Sequence, residues 1–381
     1  MRNVLFITAA IAIFLVYGLI NYYIYSRGLQ AFRPAGIFHT IYSVAFAFLA
    51  VSFIASVFLE RADVVSVGRP LNWIGSFWLA AFVYLLLVSV AVDVFRLANH
   101  FVPFFPQFIS SNPGRAARVA GVCTVSVTLL VVLFGFINAH YIRVRTLDIR
   151  VLKGAGERKT LNLVMASDIH LSSIIGRSRI EGIVEKINSL SPDLVLLPGD
   201  IVDGDLNPVI DQNLGESLRK IKAPLGVYAV TGNHEYYGGL ERACQYITEH
   251  GIRILRDSAV FIDHSFYIVG RDDRELRNRK ALAALMEKVD KKFPVILMDH
   301  QPFHLEDAEE NGIDLQLSGH THHGQMWPFN YITDMVYELA YGYLVKGATH
   351  IYVSSGVGTW GPPVRIAADP EIVNVRLEFN K

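Results

Sequence analysis

The chain has 381 residues, 52% hydrophobic and only 18% charged, where an ordinary soluble domain carries roughly 25% charged residues. A mean hydropathy of +0.33 excludes a disordered chain and argues against a wholly soluble fold. The formal charge of zero hides two unlike parts: residues 1–145 hold ten Arg, no Lys and three acids, which leaves 25 bases and 32 acids for residues 146–381.

Charge-free stretches mark the first part. Arg2 to Arg27 encloses 24 uncharged residues, Arg33 to Glu60 26, Arg69 to Asp93 23 and Arg118 to Arg143 24. Each meets the roughly 20 residues that a helix needs to cross a bilayer. Four transmembrane helices are expected, at about 3–26, 35–59, 70–93 and 119–142, forming a domain 1–145 ahead of a second domain, 146–381. The first is too long for a signal peptide and three further spans follow it. Residues 97–114 are also uncharged, but Pro103, Pro106 and Pro113 stand among Phe101, Phe104, Phe105 and Phe108. That composition reads as an interfacial loop. An even number of spans puts both termini on one side. Nine bases against five on the alternating sides favour the cytoplasm, and so a bacterial inner-membrane protein with a cytoplasmic second domain.

From residue 161 short apolar runs alternate with a helical pattern. Leu161–Ala166, Leu194–Leu197, Val227–Val230, Val295–Met298 and Leu315–Leu317 read as strands buried on both faces. Residues 178–190 carry Ile180, Ile183, Val184, Ile187 and Leu190 at helical spacing, with Ser178 and Glu181 forming a capping box. The result is a layered α/β domain. Each strand then delivers polar residues at its carboxyl end, where such sheets present their ligands. In order these are Asp168 and His170, Asp200 and Asp203, Asn233 and His234, His300, and His320 with His322. Carboxylates and imidazoles without thiolates suit divalent Mn, Fe or Zn. Cys123 and Cys244 form no framework of their own.

The order Asp-x-His, Gly-Asp-x-x-Asp, Gly-Asn-His-Glu, His-x-Pro, Gly-His-x-His resembles the calcineurin-like metallophosphoesterases over roughly residues 160–378. The runs DLVLLPGDIVD (193–203), TGNHEY (231–236) and DLQLSGHTHHGQ (314–325), with the tail 353–366, look like its bacterial membrane-associated phosphodiesterase branch. The resemblance implies a four-layer fold, two facing β-sheets flanked by helices, and two divalent metal ions. Asp168, His170 and His322 are implied for one ion, Asn233, His300 and His320 for the other, with Asp200 bridging. His234 is implied as the catalytic histidine beside the phosphoryl group, and Asp203 as its neighbour's orienter rather than a ligand. The implied reaction is in-line attack on phosphorus by a hydroxide that both metals activate. Members usually carry glycine where this chain has His323, so His323 either turns to solvent or narrows the pocket toward substrate. Arg365 is a candidate phosphate contact or a structural residue.

Three functions remain open on sequence. One is a membrane-tethered enzyme cleaving a phosphodiester or pyrophosphate in a lipid-linked substrate. The second acts on soluble phosphorylated small molecules, with the spans as an anchor in the lipid bilayer. The third is a non-enzymatic sensor or scaffold. No nucleic-acid partner is expected, because the second domain is acidic and has no basic stripe. The aromatic-rich segment 326–345, directly after His320 and His322, separates the first two, as an apolar wall beside the metals or as ordinary core.

Overall fold

The computed structural model describes residues 2–62 and 64–380, and the chain divides into two compact units, Met1–Phe134 and Gly135–Lys381. The first is helical: α1 (Arg2–Phe32), α2 (Ile37–Arg61), α3 (Val65–Phe101), α4 (Gln107–Ser110) and α5 (Pro113–His140). Among the described residues three segments are long and apolar enough to cross a membrane, Ile37–Glu60, Val65–Phe101 and Pro113–His140. The expected span at 3–26 lies in α1, but its opening side chains fall outside the described residues.

The third helix is longer than the charge-free stretch that announced it. It runs eight residues past Asp93, whose carboxylate pairs with Arg27 at 2.5 Å and accepts from the Tyr23 hydroxyl at 2.5 Å. The proline-rich loop therefore starts at Val102, and it contains the short helix α4.

Among the described residues the second unit holds twelve strands in two six-stranded sheets. In chain order they are β1 (Arg143–Gly154), β2 (Thr160–Met165), β3 (Leu194–Pro198), β4 (Val227–Val230), β5 (Arg253–Ile254), β6 (Ser258–Ile262), β7 (Phe266–Gly270), β8 (Val295–Met298), β9 (Leu315–Ser318), β10 (Gly342–Lys346), β11 (Thr349–Val353) and β12 (Glu371–Asn380). One sheet runs β1-β12-β2-β3-β4-β5 and the other β10-β11-β9-β8-β7-β6. Each contains four consecutive parallel strands, β2–β5 in one and β11-β9-β8-β7 in the other.

Period-2 alternation explains the layering. Leu161, Leu163 and Met165 of β2, with Leu194 and Leu196 of β3, point into a core shared with Ile268, Ile296, Met298, Leu315 and Leu317 of the facing sheet. Their neighbours Val164, Val195 and Leu197 point the other way, onto α6 (Arg177–Ser189) through Ile180, Ile183, Val184 and Ile187. Val269, Val295 and Leu297 bury the outer face of the second sheet against Leu282, Leu285 and Met286. Two sheets flanked by helices are thus built from strands apolar on both faces.

One local expectation changes. Helix α6 starts at Arg177 with Gly176 as its cap and no side-chain cap bond, so Ser178 and Glu181 form no capping box; Glu181 instead lies 3.4 Å from Lys220. The second unit begins at Gly135, inside α5. Arg365 N–H donates to Gly135 carbonyl at 2.9 Å and Asn138 donates to Asp369 at 3.2 Å, which ties the last turn of α5 to the sheet unit.

Candidate metal centre

All five polar loops named from sequence meet at the carboxyl ends of β2, β3, β4, β8 and β9. The backbone turns hard to achieve this. Asp168, His170, Asp200, His320 and His322 have φ between +46° and +72°, a left-handed region that non-glycine residues seldom enter and that tends to mark functional sites. Close approach also requires glycine twice: a Cβ on Gly232 would strike the Asp200 carboxylate, and one on Gly319 the Asp168 carboxylate.

Among the described residues donor atoms converge in three groups. Asp168, His170 and His322 form the first, Asp200, His300 and His320 the second, and His170 with Asp203 and His234 a third that shares His170 with the first, each with its donor atoms within 4.8 Å of one another. His170 Nε2 and His322 Nε2 are 3.0 Å apart, and His322 Nε2 is 3.5 Å from Asp168 Oδ1. In the second group Asn233 Oδ1 adjoins His320 Nδ1 at 2.8 Å. Asp200 stands between the first two groups, its Oδ2 3.1 Å from His300 Nε2 and 3.8 Å from His170 Nε2.

The residues fit a pair of divalent cations. Asp168 Oδ2 and His300 Nε2 are buried and lack a hydrogen-bond partner, His300 facing Asp200 without the alignment of a bond. Its Nδ1 lies 2.7 Å from the Pro198 carbonyl, which assigns the ring proton there and leaves Nε2 free to ligate. Burial opposes a charge on His300, but Asp200 and Asp168 raise its pKa well above the ordinary value, a demand for positive charge that a cation satisfies. Burial, reinforced by His300, pushes His320 down to about 3, and burial with His170 and Arg365 depresses His322, so both rings offer lone pairs at neutral pH. Burial also opposes the Asp200 charge, yet His300, His170 and His234 hold its carboxyl well below the usual range.

Known proteins match this sequence. The family model for calcineurin-like phosphoesterases matches residues 161–324. An uncharacterized metallophosphoesterase of Aquifex aeolicus is 34% identical over 262 residues, covering 66% of this chain and 98% of that protein. The chain belongs to the calcineurin-like metallophosphoesterases. Another uncharacterized metallophosphoesterase, from Helicobacter pylori, is 36% identical over 225 residues, 58% of this chain; the match spans 60% of that relative's length. A Danio rerio transmembrane protein with a metallophosphoesterase domain is 33% identical over 275 residues, covering 68% of this chain and 62% of that protein.

Within this metallophosphoesterase site, His234 sits at the rim, with Nδ1 2.8 Å from Asp203 Oδ1 and its backbone N–H donating to Asp200 Oδ1 at 2.9 Å. Asp203 also faces His170 Nδ1 at 3.3 Å. Burial works against its charge, but the His170 and His234 rings beside it hold it at about 2. It therefore orients two rings at once.

The two residues weighed as substrate contacts lie elsewhere. Arg365 is wholly buried, and its guanidinium donates to the carbonyls of Ser355, Gly356 and Gly358 and to His322 Nδ1 at 3.1 Å. It braces the His322 ring from behind and has no face toward solvent. If His322 ligates through Nε2, its proton moves to Nδ1, and the guanidinium then rests on those carbonyls alone. His323 turns from the metal groups, stacked on Tyr341 with centroids 5.0 Å apart and 3.5 Å from Asp334.

Sequence reasoning gave no role to Glu235. Buried in the Asn233–Gly238 helix, it accepts N–H bonds from Ile201 (2.7 Å) and Val202 (3.0 Å) on one oxygen and from Gly232 (2.7 Å) and Asp200 (3.1 Å) on the other. It thereby locks the Asp200 turn to the Asn233 turn. Its position inside TGNHEY was the available signal. Also missed was the loop after β7, where Asp272 accepts from the Thr231 and Tyr236 hydroxyls at 2.6 Å and Gln301 donates to Asp273 at 3.0 Å. The run FYIVG followed by Arg-Asp-Asp repeats the strand-then-acid pattern of the other loops.

Proposed function

We propose that this chain is a membrane-tethered, metal-dependent phosphohydrolase that cleaves a phosphodiester or pyrophosphate bond in a lipid-linked substrate, with its catalytic unit in the cytoplasm. Asp168, His170 and His322 hold one divalent ion, Asn233, His300 and His320 the second, and Asp200 serves both. Bound there, two divalent cations would supply Lewis acidity toward water and toward the phosphoryl oxygens, chemistry for which Mn, Fe and Zn all qualify. The chain's own work is to keep Asp200 ionised, to aim both histidine pairs, and to position His234 beside them. Asp203, held at about 2, anchors His234 Nδ1 and keeps Nε2 directed outward to the leaving oxygen.

One observation favours the lipid-linked substrate. The segment that follows His322 brings Tyr337 to within 6.1 Å of the His320 ring, against Phe303 at 4.7 Å, and leaves Tyr331, Ile332, Met335 and Val336 exposed. An apolar surface thus runs outward from the edge of the site. Burying one such side chain contributes about 1.5–3 kcal/mol, roughly 10- to 150-fold in favour of a lipid-linked phosphate over its soluble analogue. The test is turnover of the purified full-length protein with Mn on lipid pyrophosphates, soluble phosphodiesters and monoesters, for wild type, Trp327→Ala and Tyr337→Ala. The expected result is a raised apparent KM on the lipid substrate alone. Equal losses on lipid and soluble substrates mean that the rings are core, and the spans a mere anchor.

A further inference from the structure

The helix Phe329–Val336 buries none of its residues, and Met335 at its end is 79% exposed. Between Trp327 and Tyr337 the only charged residue is Asp334, which is engaged by His323. A surface helix of a soluble domain carries charge on its outer face. This one presents Tyr331, Ile332, Met335 and Val336 instead.

Its position in the fold says what covers it. Gln325, two residues before Trp327, accepts on its carbonyl from Ile366 at 2.8 Å and Ala367 at 3.2 Å, and its side chain bonds Trp360 N–H at 2.9 Å and Pro362 carbonyl at 2.9 Å. On its other side the same loop meets the last turn of α5, through Arg365 N–H to Gly135 carbonyl. A Cβ on Gly135 would strike Ile366. The apolar helix is therefore held, through one loop, to the end of a segment long and apolar enough to cross a membrane. Tyr141, exposed and lying under the Arg143 guanidinium at 4.6 Å, marks that end with an aromatic–basic pair of interfacial type.

We infer that the Phe329–Val336 helix lies in the interface of the membrane that α5 crosses, its Tyr331, Ile332, Met335 and Val336 inserted among the acyl chains and Trp327 and Trp360 at headgroup level. Trp360 is 6.0 Å from the His234 ring, so the insertion sets the mouth of the metal centre against the lipid surface. The inference is independent of the substrate reading, since an enzyme for soluble phosphates can dock in the same way.

The experiment uses the full chain, with Cys123 and Cys244 replaced by alanine, reconstituted in vesicles of phosphatidylcholine and phosphatidylglycerol. Nitroxides are attached at Met335→Cys, Ile332→Cys and, as a solvent control, Lys288→Cys. Power saturation then compares access to oxygen, which partitions into lipid, with access to a water-soluble nickel chelate. At 332 and 335 the expected result is a several-fold gain in the oxygen-to-nickel ratio over 288. Nickel access equal to that at 288 overturns the inference, as does loss of access to both reagents, which signals cover by protein. Spin–spin broadening that disappears on dilution with unlabelled chain overturns it in favour of a second copy. No readout involves turnover, so the inference and the substrate reading fail separately.

Discussion

Replacing Glu235 by glutamine tests how the site is held together. Each carboxylate oxygen of Glu235 accepts two backbone N–H groups, Ile201 and Val202 on one and Asp200 and Gly232 on the other. A glutamine has one acceptor oxygen, so whichever way the amide turns its NH2 faces two donors. Two bonds are lost and two buried N–H groups are stranded. A bond to a charged acceptor contributes about 1.5–3 kcal/mol and a neutral one about 0.5–1.5. Burial, with the adjacent Asp200 charge, pushes Glu235 up to about 7, so an intermediate value applies. The loss is about 3–5 kcal/mol, and a 1.4 kcal/mol change is one decade. If this falls on the turn carrying Asp200, the equilibrium favouring that turn drops by about two to three and a half decades. The assay pairs bound-metal content with turnover and thermal inactivation of the full-length protein. Glu235→Gln is expected to lose metal and at least about 100-fold in activity while Glu241→Gln, an exposed control, loses neither. Normal metal content and turnover in Glu235→Gln would refute the reasoning.

Asp200→Asn should abolish most turnover and lower the content of both metals, because Asp200 lies between the two donor groups; loss of a single metal would show that it serves only one. Asp203→Asn removes the anchor of His170 and His234, and a fall of about 10- to 100-fold in activity is expected, with pH dependence altered on the limb that reports the acid. A simple loss of folded protein, with the pH profile unchanged, would count against that role. A reporter fused after Lys381 should read cytoplasmic, and a periplasmic signal would exclude cytoplasmic lipid-linked substrates.

Much of this protein was legible from sequence because its central strands are buried on both faces, so β2, β3, β4, β8 and β9 appear as uninterrupted apolar runs ending in glycine and polar residues. The periodicity of Ile180, Ile183, Val184 and Ile187 likewise survives as the buried face of α6. Asp168, His170, Asp200, Asn233, His300, His320 and His322 were legible for the same reason, each standing directly after a strand. Edge strands were not. β1 carries Arg143, Arg145, Asp148, Arg150 and Lys153 on an outer edge, where charge discourages further pairing and erases the apolar signal. Tertiary structure alone decided the supporting residues. Glu235 acts on a turn some 34 residues away, and Arg365 reaches back 43 residues to His322. Neither pairing leaves a local periodicity, since each exists only once adjacent strands bring the loops after their carboxyl ends to one place. The direction of His323 and the exposure of Met335 are decided there too. Spacing states which side chains share a loop, but the left-handed turns at Asp168, His170, Asp200, His320 and His322 and the packing behind them decide which way those side chains point.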